Sequence, residues 1–296
     1  MIKRLIGGSK RAFGMHRPGR NLDVYPDDVF LVSYPKSGNT WTRFLVANLV
    51  FPEKNVDFSN LNDLTPDPEA MSKRNLAEVP RPRIIKSHQY FDPRYQRVIY
   101  IVRDPRDVVL SQYHFDIKRQ AIEEKFPLES YVGRFLRGED DRPYGTWAEN
   151  VASWLYVRGT HPGFLLIRYE LLQSHGMKEL AKIARFFGIA ADESRLKFAL
   201  EQSSADRMRE LEKKQAHLWS STRETRQDKP FVRAAKSGGW KSELPQSSIA
   251  ELEKAWGKLM TDLGYQLSTR SATESSSSSA PQLATVGAAP EGRYSE

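Results

Sequence analysis

The sequence predicts an α/β fold: a single domain with a central parallel sheet flanked by helices and a P-loop-like nucleotide-binding core. Four short runs of β-branched and apolar residues alternate with segments of helical periodicity, a pattern typical of a parallel sheet covered on both faces. The first run leads through a short turn rich in lysine, serine and glycine into a helix, as phosphate-binding elements do. These two observations decide the fold class.

The predicted strands cover residues 29–34, 83–87, 97–102 and 164–168. Helical periodicity predicts helices over about 40–50, 105–120, 128–137, 146–159, 177–188, 192–202 and 246–263. Ligands of open parallel sheets bind at the carboxyl ends of the strands. Lys36, Lys86, His88 and Arg103 fall at or just beyond strand ends, so we expect them to converge on one crevice.

Composition divides the chain into three parts. Residues 1–24 form a basic arm that is predicted to be flexible, and residues 25–267 form one domain without an internal repeat. Residues 268–296 form a Ser/Ala-rich tail with too little apolar area to offset the entropy of ordering it, so we expect disorder there. The arm is expected to be solvated, with a weak anchor to anionic lipid or an arm that binds a partner as the alternatives.

The net charge of +8 is concentrated at the N-terminus. Six basic and no acidic residues lie within residues 1–20, and residues 268–296 carry a net charge of −1, which leaves an excess of +3 on residues 21–267. That small excess predicts no nucleic-acid partner and suits an enzyme that gathers a multiply charged anion. With no cysteine, no apolar run of the ~18–20 residues that a membrane helix needs, and no apolar core of a secretory signal, we expect a cytoplasmic protein.

The turn at residues 36–40, here called the phosphate loop, carries the clearest chemistry. Lys36 supplies a charge, Gly38 lets the backbone approach an anion, and the hydroxyls of Ser37 and Thr40 add donors at a helix N-terminus. No glycine-rich run precedes the lysine, so the loop differs from that of nucleoside triphosphatases. The aromatic Trp41 directly after it indicates a nucleotide whose base needs a surface to stack on.

Arg103 ends the third strand, and Pro105 is suited to the first turn of the helix that follows. Arg103 and Ser111 of that helix can bind one anion together. A surface pair between Arg103 and Asp107, with Ser111 as an ordinary helical serine, remains the alternative.

Lys86 and His88 lie two residues apart at the end of the second strand. A histidine titrates near working pH and can take a proton from a hydroxyl, while a neighbouring lysine stabilises developing negative charge. A purely structural histidine is the alternative. The sequence has no paired histidine spacing and no H-E-x-x-H motif, so no metal site is predicted.

Residues 231–241, here called the flap, form a basic, glycine-containing segment before the last helix. By itself this segment is typical of a flexible connector. The alternative is a flap that closes over a bound phosphate.

Together these elements resemble the cytosolic-type sulfotransferases, which use 3′-phosphoadenosine 5′-phosphosulfate (PAPS). The match covers roughly residues 25–265 and keeps the family's order. It consists of Y-P-K-S-G-[NT]-T-W from Tyr34, K-[ST]-H from Lys86, R-[DN]-x-[KR]-D-V from Arg103 with Ser111 eight residues on, the strand before Tyr169, and R-x-x-x-x-G-x-W-K from Arg233.

The resemblance implies a role for each matching residue. The 5′-phosphosulfate cradle is Lys36, Ser37, Gly38, Asn39 and Thr40; Trp41 and Tyr169 contact the base; Arg103, Ser111 and Arg233 bind the 3′-phosphate; and Ser203 keeps a hydroxyl contact. His88 is implied as the general base, with Lys36 and Lys86 stabilising the leaving and transferring groups. PAPS is the implied co-substrate, no metal is needed, and the acceptor is the hydroxyl of a small molecule, glycan or lipid.

Three positions differ from the family's pattern. Ala234 and Ala235 stand where the flap of the family has a lysine and a glycine, and Ala205 replaces an aromatic that packs on adenine. The dimer motif of the mammalian enzymes is also absent, so we expect no dimer formed through it. Two other functions stay open: a nucleotide-binding protein that has lost catalysis, and a small-molecule kinase that would need a carboxylate such as Asp104 or Asp107 to hold Mg²⁺.

Overall fold

Four parallel strands form the centre of the fold. A computed structural model describes residues 15–139, 142–233 and 235–268. The strands are β1 (Val29–Ser33), β2 (Ile84–Ser87), β3 (Arg97–Val102) and β4 (Phe164–Arg168), and each agrees with the predicted strand to within one residue. They lie in the order β2-β1-β3-β4, and every pairing is parallel. The predicted fold class is confirmed.

Helices cover both faces of the sheet. They are α1 (Asn39–Val50), α2 (Leu61–Leu64), α3 (Lys73–Glu78), α4 (Pro105–Lys118), α5 (Leu128–Leu136), α6 (Trp147–Arg158), α7 (Tyr169–Ser174), α8 (Gly176–Phe187), α9 (Glu193–Gln202), α10 (Ala205–Gln215), α11 (Trp240–Glu243) and α12 (Gln246–Asp262). The sequence predicted the seven long apolar ones and missed α2, α3, α7, α10 and α11. Four of these are a turn or two long, and α10 is mostly charged, with Met208 and Leu211 as its buried apolar side chains.

The alternation of side chains along the strands builds two cores. Phe30 and Val32 of β1 face the layer of α4, α5, α6 and α12, whereas Val29 and Leu31 face α1, α8 and α9. Successive strand residues point to opposite faces, so a continuous apolar run buries both. Burial of each Val, Leu, Ile or Phe side chain stabilises the folded state by about 1.5–3 kcal/mol relative to leaving it exposed.

The strand order places a crevice at the carboxyl edge of the sheet. From β1 the chain moves to β2 on one side and then crosses to β3 on the other, so the connections after β1 and β3 diverge. Such a switch point is where parallel sheets bind ligands. Lys36 follows β1 and Arg103 follows β3, and the Arg103 guanidinium donates to the Lys36 carbonyl at 3.4 Å.

The ends of the chain bear on the predicted domain limits. Residues 1–14 of the basic arm and 269–296 of the tail lie outside the described residues, so their flexibility and disorder stay predictions. Leu22, within the predicted arm, is buried against the domain, and Arg94 donates to its carbonyl at 3.3 Å. Within the described ranges, no helix combines the length and apolarity needed to cross a membrane.

Candidate active site

A cavity of about 860 Å³ opens at the carboxyl edge of the sheet. Its lining includes nearly all of the side chains that the sequence singled out: Lys36, Gly38, Asn39, Thr40, Trp41, Lys86, His88, Arg103, Ser111, Tyr169, Ser203 and Arg233. The expectation that the strand ends converge on one crevice is therefore confirmed. Ser37 is the exception, because its side chain is fully buried beneath the loop.

The phosphate loop takes a left-handed path into α1. Lys36 has φ +63° and Gly38 has φ +95°, and α1 begins at the next residue. A Cβ on Gly38 would lie 2.5 Å from Cδ2 of Tyr169, so a side chain does not fit there. The first backbone N–H groups of a helix lack intrahelical partners and carry partial positive charge, which makes this end an anion site.

Two polar side chains of the loop are buried and differ in their hydrogen bonding. The Asn39 amide donates to the Leu31 carbonyl at 3.0 Å and to the Ser33 hydroxyl at 3.3 Å, so it holds the start of α1 against β1. Ser37 Oγ is buried and, within the described ranges, has no hydrogen-bond partner.

The Lys36 ammonium lies between two aromatic rings. Its Nζ is 3.9 Å from the ring centroid of Phe115 on α4 and 4.5 Å from that of Phe231 in the flap. Cation–π contacts of this kind are worth ~0.5–2 kcal/mol. The charge of the phosphate loop is thus held inside the cavity, at a point where α4 and the flap meet.

Arg103 and three other residues form an aromatic and cationic wall. The Arg103 guanidinium lies 4.3 Å from the ring of Tyr169, and Tyr169 packs edge-on against Trp41 at 5.4 Å. Trp41 Nε1 donates to the Ser203 carbonyl at 2.9 Å, and the Ser203 hydroxyl accepts from Asn48 at 3.1 Å. The Nε of Arg103 is buried and, among the described residues, has no partner.

The flap is fastened to several elements. Arg103 donates to the Lys236 carbonyl at 3.0 Å, and Asp107 accepts from the backbone N–H of Gly238 at 2.7 Å. At its other end, the Glu212 carboxylate of α10 accepts from the N–H groups of residues 231 and 232. Ala235 has φ +50°, the left-handed region that favours glycine. Ala234 lies outside the described residues.

Arg233 enters the cavity with an ion partner. Its guanidinium contacts the Glu243 carboxylate at 2.9 Å, and Glu243 also lies 3.3 Å from Nε2 of His114. Burial, together with the charge of Arg233, lowers the pKa of His114. Ser111 lines the cavity on the same side, two turns into α4.

His88 lines the same cavity, one residue after β2. Its Nδ1–H donates to the Ser33 carbonyl at 2.7 Å, which leaves Nε2 as the acceptor nitrogen of a neutral imidazole. Burial and the adjacent charge of Lys86 lower the pKa of His88 to about 3. His88 is therefore neutral, and among the described residues its Nε2 has no partner, as a general base requires, but its pKa lies below the value near working pH that the sequence led us to expect.

Lys86 is held by two carboxylates that the sequence analysis did not identify. Its Nζ lies 2.8 Å from Asp67 and 3.8 Å from Glu69. Burial would raise the pKa of Asp67, but the charges of Lys86 and of buried Arg43 outweigh it and lower the pKa to about 2. Asp67 is therefore ionised, and the Lys86 charge is neutralised locally.

Tyr144 forms a wall beside the histidine. Its ring meets the His88 ring edge-on at 5.6 Å, and its hydroxyl donates to Glu69 at 2.6 Å. Two other aromatic residues, Phe58 and Tyr131, do not line the cavity, because they are buried in the core.

Asp104 and Asp107 are occupied by the protein. Asp104 binds the Arg106 guanidinium at 2.6 Å, and Asp107 caps the flap through the N–H groups of Gly238 and Trp240. Among the described residues, no three His, Asp or Glu side chains are grouped in a way that could hold a metal ion.

Comparison with known proteins places this cavity in a family context. The family model described as the sulfotransferase domain matches residues 26–264. Mouse sulfotransferase 1B1 is 29% identical over 82% of this chain and 86% of its own length, and bovine sulfotransferase 1E1 is 28% identical over 75% and 80%.

Two solved structures share the fold. Mouse sulfotransferase SULT7A1 complexed with PAP has a TM-score of 0.64 at 24% identity, covering 82% of this chain and 88% of that one. Retinol dehydratase in complex with androsterone and the inactive cofactor PAP has a TM-score of 0.66 at 21% identity, covering 83% and 84%.

Proposed function

The chain belongs to the sulfotransferase domain family, and we propose that the cavity at its sheet edge is where the family's reaction takes place. That reaction is the transfer of a sulfuryl group from PAPS to the hydroxyl of an acceptor. The observation that carries the proposal is the convergence of the phosphate loop, Arg103 and His88 on one cavity. A cationic cradle and a proton acceptor are thereby present together.

The described residues suit a nucleotide with phosphates at both ends of its ribose. The start of α1 and Lys36 offer donors for the 5′ side, and the unpartnered Nε of Arg103 offers one for the 3′ side together with Ser111. Trp41 and Tyr169 supply an aromatic surface for the base. PAPS, when bound, would supply the activated sulfuryl group.

His88 is proposed to take the proton of the acceptor hydroxyl on Nε2, since Nδ1–H is engaged by Ser33. Lys36 would then stabilise the negative charge on the leaving phosphate oxygen. Lys86, whose charge is paired with Asp67, would support the transferring sulfuryl group as a hydrogen-bond donor. Because the donor group is already activated, positioning and neutralisation of charge supply most of the rate.

The alternatives receive less support. A kinase would need a carboxylate free to bind Mg²⁺, and Asp104 and Asp107 are engaged by Arg106 and by the flap. A binding protein without catalysis has no use for a neutral histidine whose tautomer is fixed beside a lysine. We also propose a cytoplasmic location, supported by the absence of cysteine. Lipid contact by the basic arm stays a prediction.

Cofactor binding tests the proposal directly. Adenosine 3′,5′-bisphosphate without Mg²⁺ is expected to raise the melting temperature, because a ligand that binds only the folded state stabilises it by mass action. A response to Mg-ATP with none to the bisphosphate would contradict the proposed function.

Removing the base tests the chemistry separately. His88→Ala is expected to lower turnover by ~10²–10⁴ while bisphosphate affinity stays within a few-fold. The measurement is steady-state turnover with labelled PAPS beside calorimetry of the bisphosphate. A comparable loss of affinity in His88→Ala would mean that His88 binds the cofactor and is not the base.

A further inference from the structure

Two side chains of the cavity, Gln112 and Glu69, present hydrogen-bond acceptors that the transfer reaction does not use. Gln112 on α4 is 3% exposed and lines the cavity, and its amide oxygen is buried with no hydrogen-bond partner among the residues described. A buried amide oxygen without a partner destabilises the fold, because no hydrogen bond offsets the loss of its contact with water. Because Gln112 lines a ligand cavity, a bound molecule can supply the missing hydrogen bond to its amide oxygen.

Glu69 supplies a second acceptor. Its side chain is 33% exposed and lines the same cavity, and it accepts from Tyr144 at 2.6 Å. A carboxylate has about four lone-pair sites, so Glu69 retains capacity for a ligand donor. Gln112 and Glu69 come from different elements, α4 and the segment before α3, and are independent of each other.

The positive and negative charges around Lys86 balance each other. Lys86 and the buried Arg43 are positive, Asp67 and Glu69 are negative, and Lys86 contacts both carboxylates. An ammonium group on the acceptor would therefore find no uncompensated negative charge. Neutral donors satisfy the amide and carboxylate oxygens without disturbing this balance.

We propose that the acceptor is a neutral polyhydroxylated molecule, which donates hydrogen bonds from additional hydroxyls to Gln112 and Glu69. A simple phenol or monohydroxy alcohol has one O–H, and that group is used by His88. This inference rests on the proposed function and narrows its substrate to polyols, with Tyr144 as the aromatic surface beside the reacting hydroxyl.

Three alcohols with one ring and secondary hydroxyls test the proposal: inositol, cyclohexanol and trans-2-aminocyclohexanol, each with labelled PAPS. Two additional hydrogen bonds of ~1 kcal/mol each predict that kcat/KM per hydroxyl is about tenfold or more higher for inositol than for cyclohexanol. Equal values for the two, or a preference for the aminoalcohol, would overturn the proposal.

Two variants test whether Gln112 and Glu69 cause the preference for inositol over cyclohexanol. Gln112→Leu is expected to lower the inositol-to-cyclohexanol ratio about fivefold, mainly through KM, and Glu69→Gln is expected to lower it as well. The matched control is Gln246→Leu, an exposed glutamine outside the cavity, which should keep the ratio. An unchanged ratio in both cavity variants, each shown to be folded by its bisphosphate-induced melting shift, would contradict the assignment.

The same assay distinguishes a failure of the polyol inference from a failure of the proposed function. If 2-naphthol is sulfated and the three ring alcohols are not, the polyol inference fails and the proposed function stands. If the bisphosphate does not bind and no hydroxyl compound is sulfated, the proposed function fails first.

Discussion

The phosphate loop and the flap face the same cavity, but different interactions shape them. The loop is shaped by local geometry: left-handed residues at Lys36 and Gly38, and a helix that begins at once. The flap is shaped by distant side chains, among them Asp107 and Glu212, that bind its backbone. Substitutions within the phosphate loop should therefore disturb the loop most, whereas the flap should be disturbed most by substitution of the residues that bind its backbone.

The two segments also treat left-handed backbone differently. At φ +95° the loop has glycine, and a side chain there would overlap Tyr169. At φ +50° the flap has Ala235, although such a conformation costs a residue with a Cβ about 1–2 kcal/mol. Each segment also keeps one residue with a Cβ in left-handed backbone, Lys36 at φ +63° in the loop and Ala235 in the flap, so the difference is that the loop needs glycine at position 38, where a side chain would overlap Tyr169.

The largest effect is expected from Gly38→Ala. The added Cβ meets Tyr169 at 2.5 Å in a left-handed conformation, so overpacking and strain together should lower the free energy of unfolding by about 2–4 kcal/mol. Urea unfolding measures it. The matched control is Gly188→Ala, which has φ +73° and no atom within 4 Å of the added Cβ, and isolates the strain. Equal losses in the two variants would show that Tyr169 yields to the side chain.

Arg103→Ala tests the link between the two segments. Arg103 donates to the carbonyls of Lys36 in the loop and Lys236 in the flap, and its buried Nε has no partner among the described residues. Loss of a charged hydrogen bond should weaken bisphosphate binding by ~1.5–3 kcal/mol, measured by calorimetry. Turnover at saturating PAPS should fall far less than in His88→Ala, and a reversed order would exchange their roles.

Glu243→Gln should strengthen binding. The carboxylate pairs with Arg233 at 2.9 Å, so a 3′-phosphate that binds Arg233 as proposed must compete with it. The pair is partly exposed, and removing the competing charge should raise bisphosphate affinity by roughly fivefold at low salt and less at high salt. The exposed Glu251→Gln on α12, away from the cavity, serves as a control for net charge. Unchanged affinity at both salt concentrations would mean that Arg233 does not reach the phosphate.

The smallest effect is expected from Ala235→Gly. Glycine adopts the left-handed backbone without strain, but it also gains entropy in the unfolded chain, so the net stabilisation should be about 0.5–1 kcal/mol. Urea unfolding tests it, with the exposed helical Ala250→Gly as a control that should lose a similar amount. A destabilised Ala235→Gly would show that the flap relaxes its backbone elsewhere.

The sequence was most informative where the structure is local. Apolar runs fixed the four strands to within one residue, and the motif from Lys36 located the start of α1. The short helices escaped detection because a turn or two of chain shows no periodicity. Glu243 was missed because nothing near Arg233 in the sequence marks it as an ion partner.

The hydrogen-bond acceptors Gln112 and Glu69 were the least predictable part of the site. They come from separate segments, and each is polar among unremarkable neighbours in the sequence. Their common cavity exists only after the sheet and α4 have packed. Catalytic side chains that follow strands could be placed from topology, whereas side chains on loops between distant elements could not.

The contact between Gly38 and Tyr169 limits how this chain can change over time. A methyl group at position 38 has room only after the ring at position 169 has become smaller, so the order of two substitutions matters. Because Tyr169 also packs on Trp41 and Arg103, the first step removes part of the proposed base-binding wall. Selection for that wall would therefore also hold Gly38 in place, and the two positions should vary together among descendants of this sequence.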